Sequence, residues 1–434
     1  MKRLVLGLSA SLAVLPFSLA PNLHVQEELS RRELAKLALE VLELGSRAMG
    51  EDRSRQLEIF EQLSGVPALS PKEEAKWRKD LLEEWNDLPG LPSEKGDKFY
   101  WEEEQRGRYI VGGRRSKPKG LMIGMHGGGV GSGDAGASAG AYSSAASGEE
   151  WVAIFPEVLE KTERGWTDSG TEEWLMDLVE QARRSFGVDA NHVYFAGHSM
   201  GGYGSWTLGA HHADRVAALA PSAGAPSPIL DPTTHRIQAI DWGILPSLRN
   251  TPMVVYQSID DPQVPPDVNQ FAAVEVDKAR ERWSGYENYT YWEVDGEGHG
   301  FPPGGTAAHL KKIAGFERDP VQLDVLWQPV LDWKRQFYWL FWEEPSIGAI
   351  VEGHVDRDAN QITVDIEYYS SREPGRGLAV LLDDRLVDLD REVVVLLDGK
   401  EAYRGVPERH LDVLFETSTS GDPGRQFSVR IPLQ

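Results

Sequence analysis

The chain has 434 residues, 41% hydrophobic and 26% charged, the proportions of a globular protein long enough for two or three domains. Its 68 carboxylates against 45 basic side chains leave a net charge of −23, which argues against nucleic acid or an anionic lipid surface as a partner. The chain has 0 cysteines, so disulfides, thiolate zinc sites and cysteine nucleophiles are excluded.

Lys2 and Arg3 precede a mostly apolar run to Leu19, and Ser18-Leu19-Ala20 has the small-x-small form of a cleavage site. These are the parts of an export signal. Residues 1–20 are therefore expected to be a signal peptide and the protein periplasmic or secreted, with membrane contact only through that signal. Pro21 directly after the site leaves the cleavage position open. No later stretch reaches the roughly 18 apolar residues of a spanning helix.

Residues 21–96 read as a helical N-terminal region. Leu34, Leu37, Leu39, Val41, Leu42 and Leu44 recur at helical spacing between charges. Ser70-Pro71-Lys72-Glu73 reads as an N-cap, a proline at the first helical position and an acidic first turn. The helix it starts carries Trp77, Leu81, Leu82 and Trp85 on one side, and Pro89-Gly90-Leu91-Pro92 ends it.

From Phe99 the period changes. Residues 99–101 and 108–111 flank a polar turn as a hairpin, and 121–125 form a buried strand ending at His126-Gly127-Gly128-Gly129. After a Gly/Ala/Ser-rich segment to Ser147, further strands are expected at 151–155, 192–196, 216–220, 253–257 and 289–294. Helices are expected at 172–186, 203–211 and 272–283. Strands alternating with helices give an α/β fold, a mostly parallel sheet covered on both faces, over 97–345. The aromatic-rich stretch 323–342 reads as a helix that closes this domain. Strands at 362–368, 378–382, 393–397 and 427–431, with Asp398-Gly399 as a tight-hairpin signal, make 346–434 a small separate β-domain, sandwich-like.

The chemistry gathers around Gly197-His198-Ser199-Met200-Gly201, a G-x-S-x-G between a strand and a helix. Such a turn strains the serine and exposes its hydroxyl above the sheet. A serine nucleophile also needs a base, an orienter for the base and an oxyanion hole. The strand at 253–257 ends in Ser258-Ile259-Asp260-Asp261-Pro262-Gln263-Val264-Pro265, and that at 289–294 in Asp295-Gly296-Glu297-Gly298-His299-Gly300-Phe301.

On these motifs, with Val188-Asp189 and His126-Gly127-Gly128, residues from about 97 to 345 resemble the α/β-hydrolase family. Within it they look most like exported esterases of the polyhydroxybutyrate-depolymerase group and the catalytic domain of prolyl oligopeptidases. The resemblance implies Ser199 as nucleophile, His299 as base and Asp261 as its orienter, with Asp260 the rival acid. It implies an oxyanion hole from the Met200 N–H and that of Gly127 or Gly128. It implies a serine hydrolase that needs no metal or organic cofactor and acts on a small-molecule or polymer ester, with peptide hydrolysis the alternative. Trp166, Tyr203 and Trp242, with Trp174, fall on or beside the loops above the sheet and are candidate walls of a substrate pocket.

Two rivals remain at this level. Gly131-Ser132-Gly133-Asp134-Ala135-Gly136 matches a dinucleotide-binding fingerprint, with Glu157 about 20 residues on as a ribose-binding acid. A hydrolase-like module without turnover is the other. His211-His212 reads as a helix end rather than a metal site.

Overall fold

The computed structural model describes residues 29–92, 94, 96–369 and 375–433, so the expected signal peptide lies outside the described residues. Three helices come first: α1 (Arg31–Leu44), α2 (Gly50–Leu63) and α3 (Pro71–Asp87). Ser30 with Glu33, and Ser70 with Glu73, form reciprocal capping boxes that start α1 and α3. Trp77, Leu81 and Trp85 are buried on one side of α3, as their spacing predicts, and Leu82 is half-buried.

The central sheet follows. Its strands are β1 (Gly96–Trp101), β2 (Arg106–Gly113), β3 (Gly120–Met125), β4 (Trp151–Pro156), β5 (Val193–His198) and β6 (Ala218–Ser222). A small hairpin, β7 (Pro228–Leu230) and β8 (Ile237–Ile240), leaves the sheet before β9 (Met253–Ser258) and β10 (Tyr289–Val294) return to it. Among the described residues this sheet is eight-stranded, in the order β1-β2-β4-β3-β5-β6-β9-β10. From β4 to β10 every neighbour is parallel, while β1 and β2 form an antiparallel edge.

The connecting helices are α4 (Ala135–Gly148), α5 (Thr171–Phe186), α6 (Met200–His211), α7 (Asp267–Trp283) and α8 (Gly305–Ile313). Side chains of β3 alternate between faces, as a strand requires. Leu121 and Ile123 pack with Trp174 of α5, Trp206 of α6 and Val276 of α7. Met122 packs with Tyr142 of α4 and Leu310 of α8. This strand order, with helices on both faces, is an α/β-hydrolase fold.

The C-terminal part comprises β11 (Asp324–Trp327), β12 (Gln336–Phe337), β13 (Leu340–Glu344), β14 (Ile350–Asp356), β15 (Gln361–Glu367) and β16 (Arg376–Leu382). After them come β17 (Val393–Leu397), β18 (Lys400–Gly405), α9 (Leu411–Ser418) and β19 (Val429–Pro432). One sheet runs β11-β14-β15-β17-β18 and a second β12-β13-β16-β19, with a shared apolar core between them. Asp398 and Gly399, at φ 47° and 72°, make the expected tight turn between β17 and β18.

The helix expected over 323–342 is not formed; the stretch contributes β11, β12 and β13. Pro329 has no N–H for a helix to use, and Tyr338 turns at φ 50° between β12 and β13. Trp327, Phe337, Trp339 and Trp342 are residues that favour strands, and they fill the core between the two sheets. The boundary expected at 345/346 therefore falls inside the sheets, because β11 pairs with β14 and β13 with β16. The N-terminal helices do not stand alone: Leu34, Leu63, Trp77 and Trp85 share a core with Leu411, Leu414 and Phe415 of α9.

Candidate active site

Ser199 sits between β5 and α6 at φ 58° and ψ −123°, a strained positive-φ conformation no other residue of the motif adopts. Backbone contacts hold it there: its N–H donates to Ser222 O at 2.9 Å and its carbonyl accepts from Tyr203 N at 3.0 Å. The flanking glycines are required by space. A Cβ on Gly197 would lie 2.3 Å from Gly201 O, and one on Gly201 would lie 2.1 Å from Met125 O. α6 starts at Met200, directly after the serine, earlier than its apolar pattern predicts. The Met200 N–H thus lies at a helix N-terminus, where the dipole favours negative charge.

The loops after β9 and β10 bring an acid and a histidine together. His299 Nδ1 lies 2.8 Å from Asp261 Oδ2. The other oxygen, Oδ1, accepts from Gln263 N at 2.8 Å and Val264 N at 2.9 Å. Burial raises the Asp261 pKa, but the hydrogen bonds from Val264, His299 and Gln263 outweigh it and leave the carboxyl below its ordinary value. Asp261 is therefore an anion that can accept from an imidazole and stabilise an imidazolium. Its neighbour Asp260 faces the other way, accepting from Ser258 Oγ and from the N–H groups of Gly296 and Gly298 at 3.2 and 3.0 Å. It ties down the loop that carries His299.

His198, the variable residue of the motif before Ser199, has a part the sequence does not reveal. Its Nδ1 lies 3.0 Å from Ser222 Oγ and its Nε2 3.3 Å from the carbonyl of His299. Its ring packs against those of His299 and Phe301 at 4.9 and 4.4 Å. Burial, and then the neighbouring His299, push its pKa down to about 4. His198 therefore stays neutral beside His299 and links the serine strand to the histidine loop. Among the described residues neither Ser199 Oγ nor His299 Nε2 makes a hydrogen bond; such contacts often tighten only when substrate binds.

The glycine loop after β3 closes on the serine. A Cβ on Gly127 would meet His198 O at 2.9 Å and Ser199 Cβ at 3.1 Å. Gly128 is at φ 143°. His126, 1% exposed, fixes the first peptide of this loop. Its Nε2 accepts from Val158 N at 3.2 Å, which leaves the proton on Nδ1 to donate to Gly127 O at 2.8 Å. With Gly127 O held inward, the N–H of the same peptide, that of Gly128, points the opposite way.

The proposed pocket walls separate. Trp166 is fully buried, and its indole donates to His126 O at 3.2 Å. It backs the glycine loop and, having no exposed surface, offers no face to a substrate. Trp174, 3% exposed, is in the core between α5 and the sheet. Tyr203 is half-buried and shares a hydrogen bond of 2.9 Å with Thr167. Trp242 lines a cavity of about 300 Å³ with Leu245, Trp283 and Ile350, whose lining includes none of Ser199, Asp261 and His299.

The dinucleotide fingerprint is used otherwise. Asp134 caps α4, accepting from Ala137 N at 2.8 Å. Glu157 accepts from Ala135 N at 3.2 Å and pairs with Arg108 and Lys161 at 3.1 and 3.0 Å. The carboxylate expected to hold a ribose is thus occupied at the start of α4. His211 and His212 both lie against Glu172, at 2.9 and 3.0 Å.

No protein-family model matches the chain, and no curated protein matches it. Solved structures give fold likenesses at low identity. A structure described as a thermostable esterase is 17% identical with a TM-score of 0.38, over 49% of this chain and 59% of that one. Esterase 2 of Thermogutta terrifontis is 16% identical with a TM-score of 0.38, over 52% of this chain and 92% of that one. A Thermus thermophilus protein is 15% identical with a TM-score of 0.35, over 48% of this chain and 91% of that one.

Proposed function

We propose that the protein is a serine hydrolase that cleaves a carboxylic ester through an acyl-enzyme on Ser199. The observation that carries this reading is the 2.8 Å hydrogen bond between His299 and Asp261, reached from two different strand ends beside a strained serine. In this reading His299 Nε2 takes the proton from Ser199 Oγ as the oxygen attacks the ester carbonyl. Asp261 holds the ring and stabilises the imidazolium. The N–H groups of Met200 and of Gly127 or Gly128 receive the oxyanion. The tetrahedral intermediate collapses, and the alcohol leaves with the proton from His299. Water, activated by the same histidine, then releases the acid and restores Ser199. An ester fits better than a peptide because the glycine loop after His126 resembles that of esterases.

The test is reaction with a fluorophosphonate probe and hydrolysis of p-nitrophenyl esters of graded chain length, with aminoacyl-naphthylamides in parallel. Ser199→Ala is expected to lose labelling and about 10⁶-fold in kcat. Ester turnover that survives in Ser199→Ala refutes the mechanism, and turnover of naphthylamides alone replaces the ester by a peptide.

A further inference from the structure

A cavity of about 50 Å³ lies where the N-terminal helices, the α/β domain and the C-terminal sheets meet. Its charged lining is mostly cationic. Arg53 of α2, Arg215 after α6, Lys334 and Arg335 before β12 and Arg425 before β19 all line it, against a single lining carboxylate, Glu416. Carboxylates pair with these cations, but they are shared. Glu343 serves both Arg53 and Arg335, and Asp214 serves both Lys334 and Arg425. Glu180, the partner of Arg215, is shared with Arg47, and Glu416 is shared between Arg53 and Arg430. With Asp177, the second partner of Arg47, and Glu172 beside His212, seven cations face six carboxylates here, an excess of one positive charge in a chain whose total is −23.

The lining also holds polar atoms with no partner. His212 is fully buried, Ser420 is 2% exposed and Arg425 7%. His212 Nδ1, Ser420 Oγ and Arg425 Nε make no hydrogen bond among the described residues. His212 Nε2 faces the Glu172 carboxylate at 3.0 Å, which places the single ring proton there and leaves Nδ1 an acceptor. A buried donor without an acceptor costs about 1–3 kcal/mol, and more when charged. Burial, followed by the charge of Arg215, drives the Lys334 pKa well below its ordinary value, and burial lowers Arg425 to about 10. Water can fill such a space and accept these hydrogen bonds, but it leaves the surplus charge in place.

We propose that this cavity binds a small inorganic anion, accepting from Arg425 Nε–H and the Ser420 hydroxyl. The anion neutralises the surplus cation and joins the three parts of the molecule at one point. The site is independent of Ser199 and of the hydrolase reading.

Melting of the full chain, with sodium chloride exchanged for sodium gluconate at fixed ionic strength, tests this, gluconate being too large for the cavity. Chloride is expected to raise Tm saturably by about 2–5 °C. Ser420→Ala, which leaves the backbone and every ion pair in place, is expected to raise the half-saturating chloride concentration about tenfold. Bromide-soaked crystals of the unaltered protein give a second readout, an anomalous peak between Arg425 and Ser420. A sulfate arm that outcompetes chloride keeps the site and changes the ion. Superposable chloride and gluconate curves, or bromide found only elsewhere on the molecule, overturn the proposal.

Discussion

Two adjacent carboxylates at the end of β9 have different tasks. Asp261, its side chain without exposed surface, faces His299. Asp260 holds Gly296 and Gly298. Asp261→Asn should therefore cost about 10⁴ in kcat by offering the imidazole the wrong partner. Asp260→Ala should cost about 10–100-fold by loosening the loop that aims it. Steady-state kinetics on one p-nitrophenyl ester read both, and the reverse order would assign the acid to Asp260. Gly127→Ala tests the glycine loop. Its methyl, 2.9 Å from His198 O, must push the loop away from Ser199. The expected result is a loss of about 10²–10³ in kcat together with a lowered Tm, and full activity would remove Gly127 from the oxyanion hole. The positions of Ser199, Asp261 and His299 were legible because each closes a short motif at a strand end. The parts of His198, Asp260 and His126 were not. They depend on which loop lies across from which, and no local spacing records that. The burial of Trp166 against the glycine loop was not legible for the same reason.

At the scale of elements, the α/β alternation was legible from Phe99 to Val294 because buried parallel strands are short apolar runs and α5 is clearly amphipathic. α4 was not, because a Gly/Ala/Ser segment has no apolar stripe; its start is fixed by the Asp134 cap and its packing by small side chains against β2, β3 and β4. The reading of 323–342 failed because its aromatics are so dense that they match a helical stripe and an alternating strand equally well. Pairing across the chain decides: Leu340, Phe341 and Trp342 of β13 lie in register with Val380, Ala379 and Leu378 of β16. A chain ending at residue 345 therefore keeps Trp339 and Trp342, both fully buried in the native fold, with the strands that cover them removed. Such a truncation is expected to be insoluble or to lose cooperative unfolding, whereas an independent β-domain would leave it folded. Solubility and a thermal melt followed by circular dichroism decide between the two.

For the molecule as a whole, buried ionisable groups set the response to acid. His309 has no exposed surface, and its Nε2 lies 2.7 Å from Val254 O; burial lowers its pKa to about 4. His198 is likewise lowered to about 4. Both are neutral in the fold, while the unfolded chain protonates them near the ordinary 6.5. Below that pH the unfolded state binds more protons, so stability falls as pH drops from about 6.5 to 4. Glu172 and Glu180 act in the same direction over a lower window. Burial opposes their charge, but the histidines around Glu172 and the arginines around Glu180 prevail and hold both near 2 against an ordinary 4.5. Their contribution is present above 4.5 and is lost as pH falls towards 2. Asp412 and Glu352, raised by burial, oppose this trend weakly. Net charge gives no hint of it, because a −23 surface says nothing about which arginines and histidines are inside. The decisive variant is His309→Gln, which keeps a donor for Val254 and removes one titrating group. It is expected to recover about 2 kcal/mol of the stability lost between pH 6.5 and 5, measured by urea unfolding at both pH values. Any constant cost of the substitution cancels in the difference, so an unchanged slope would show that His309 takes up its proton as readily in the fold as in the unfolded chain.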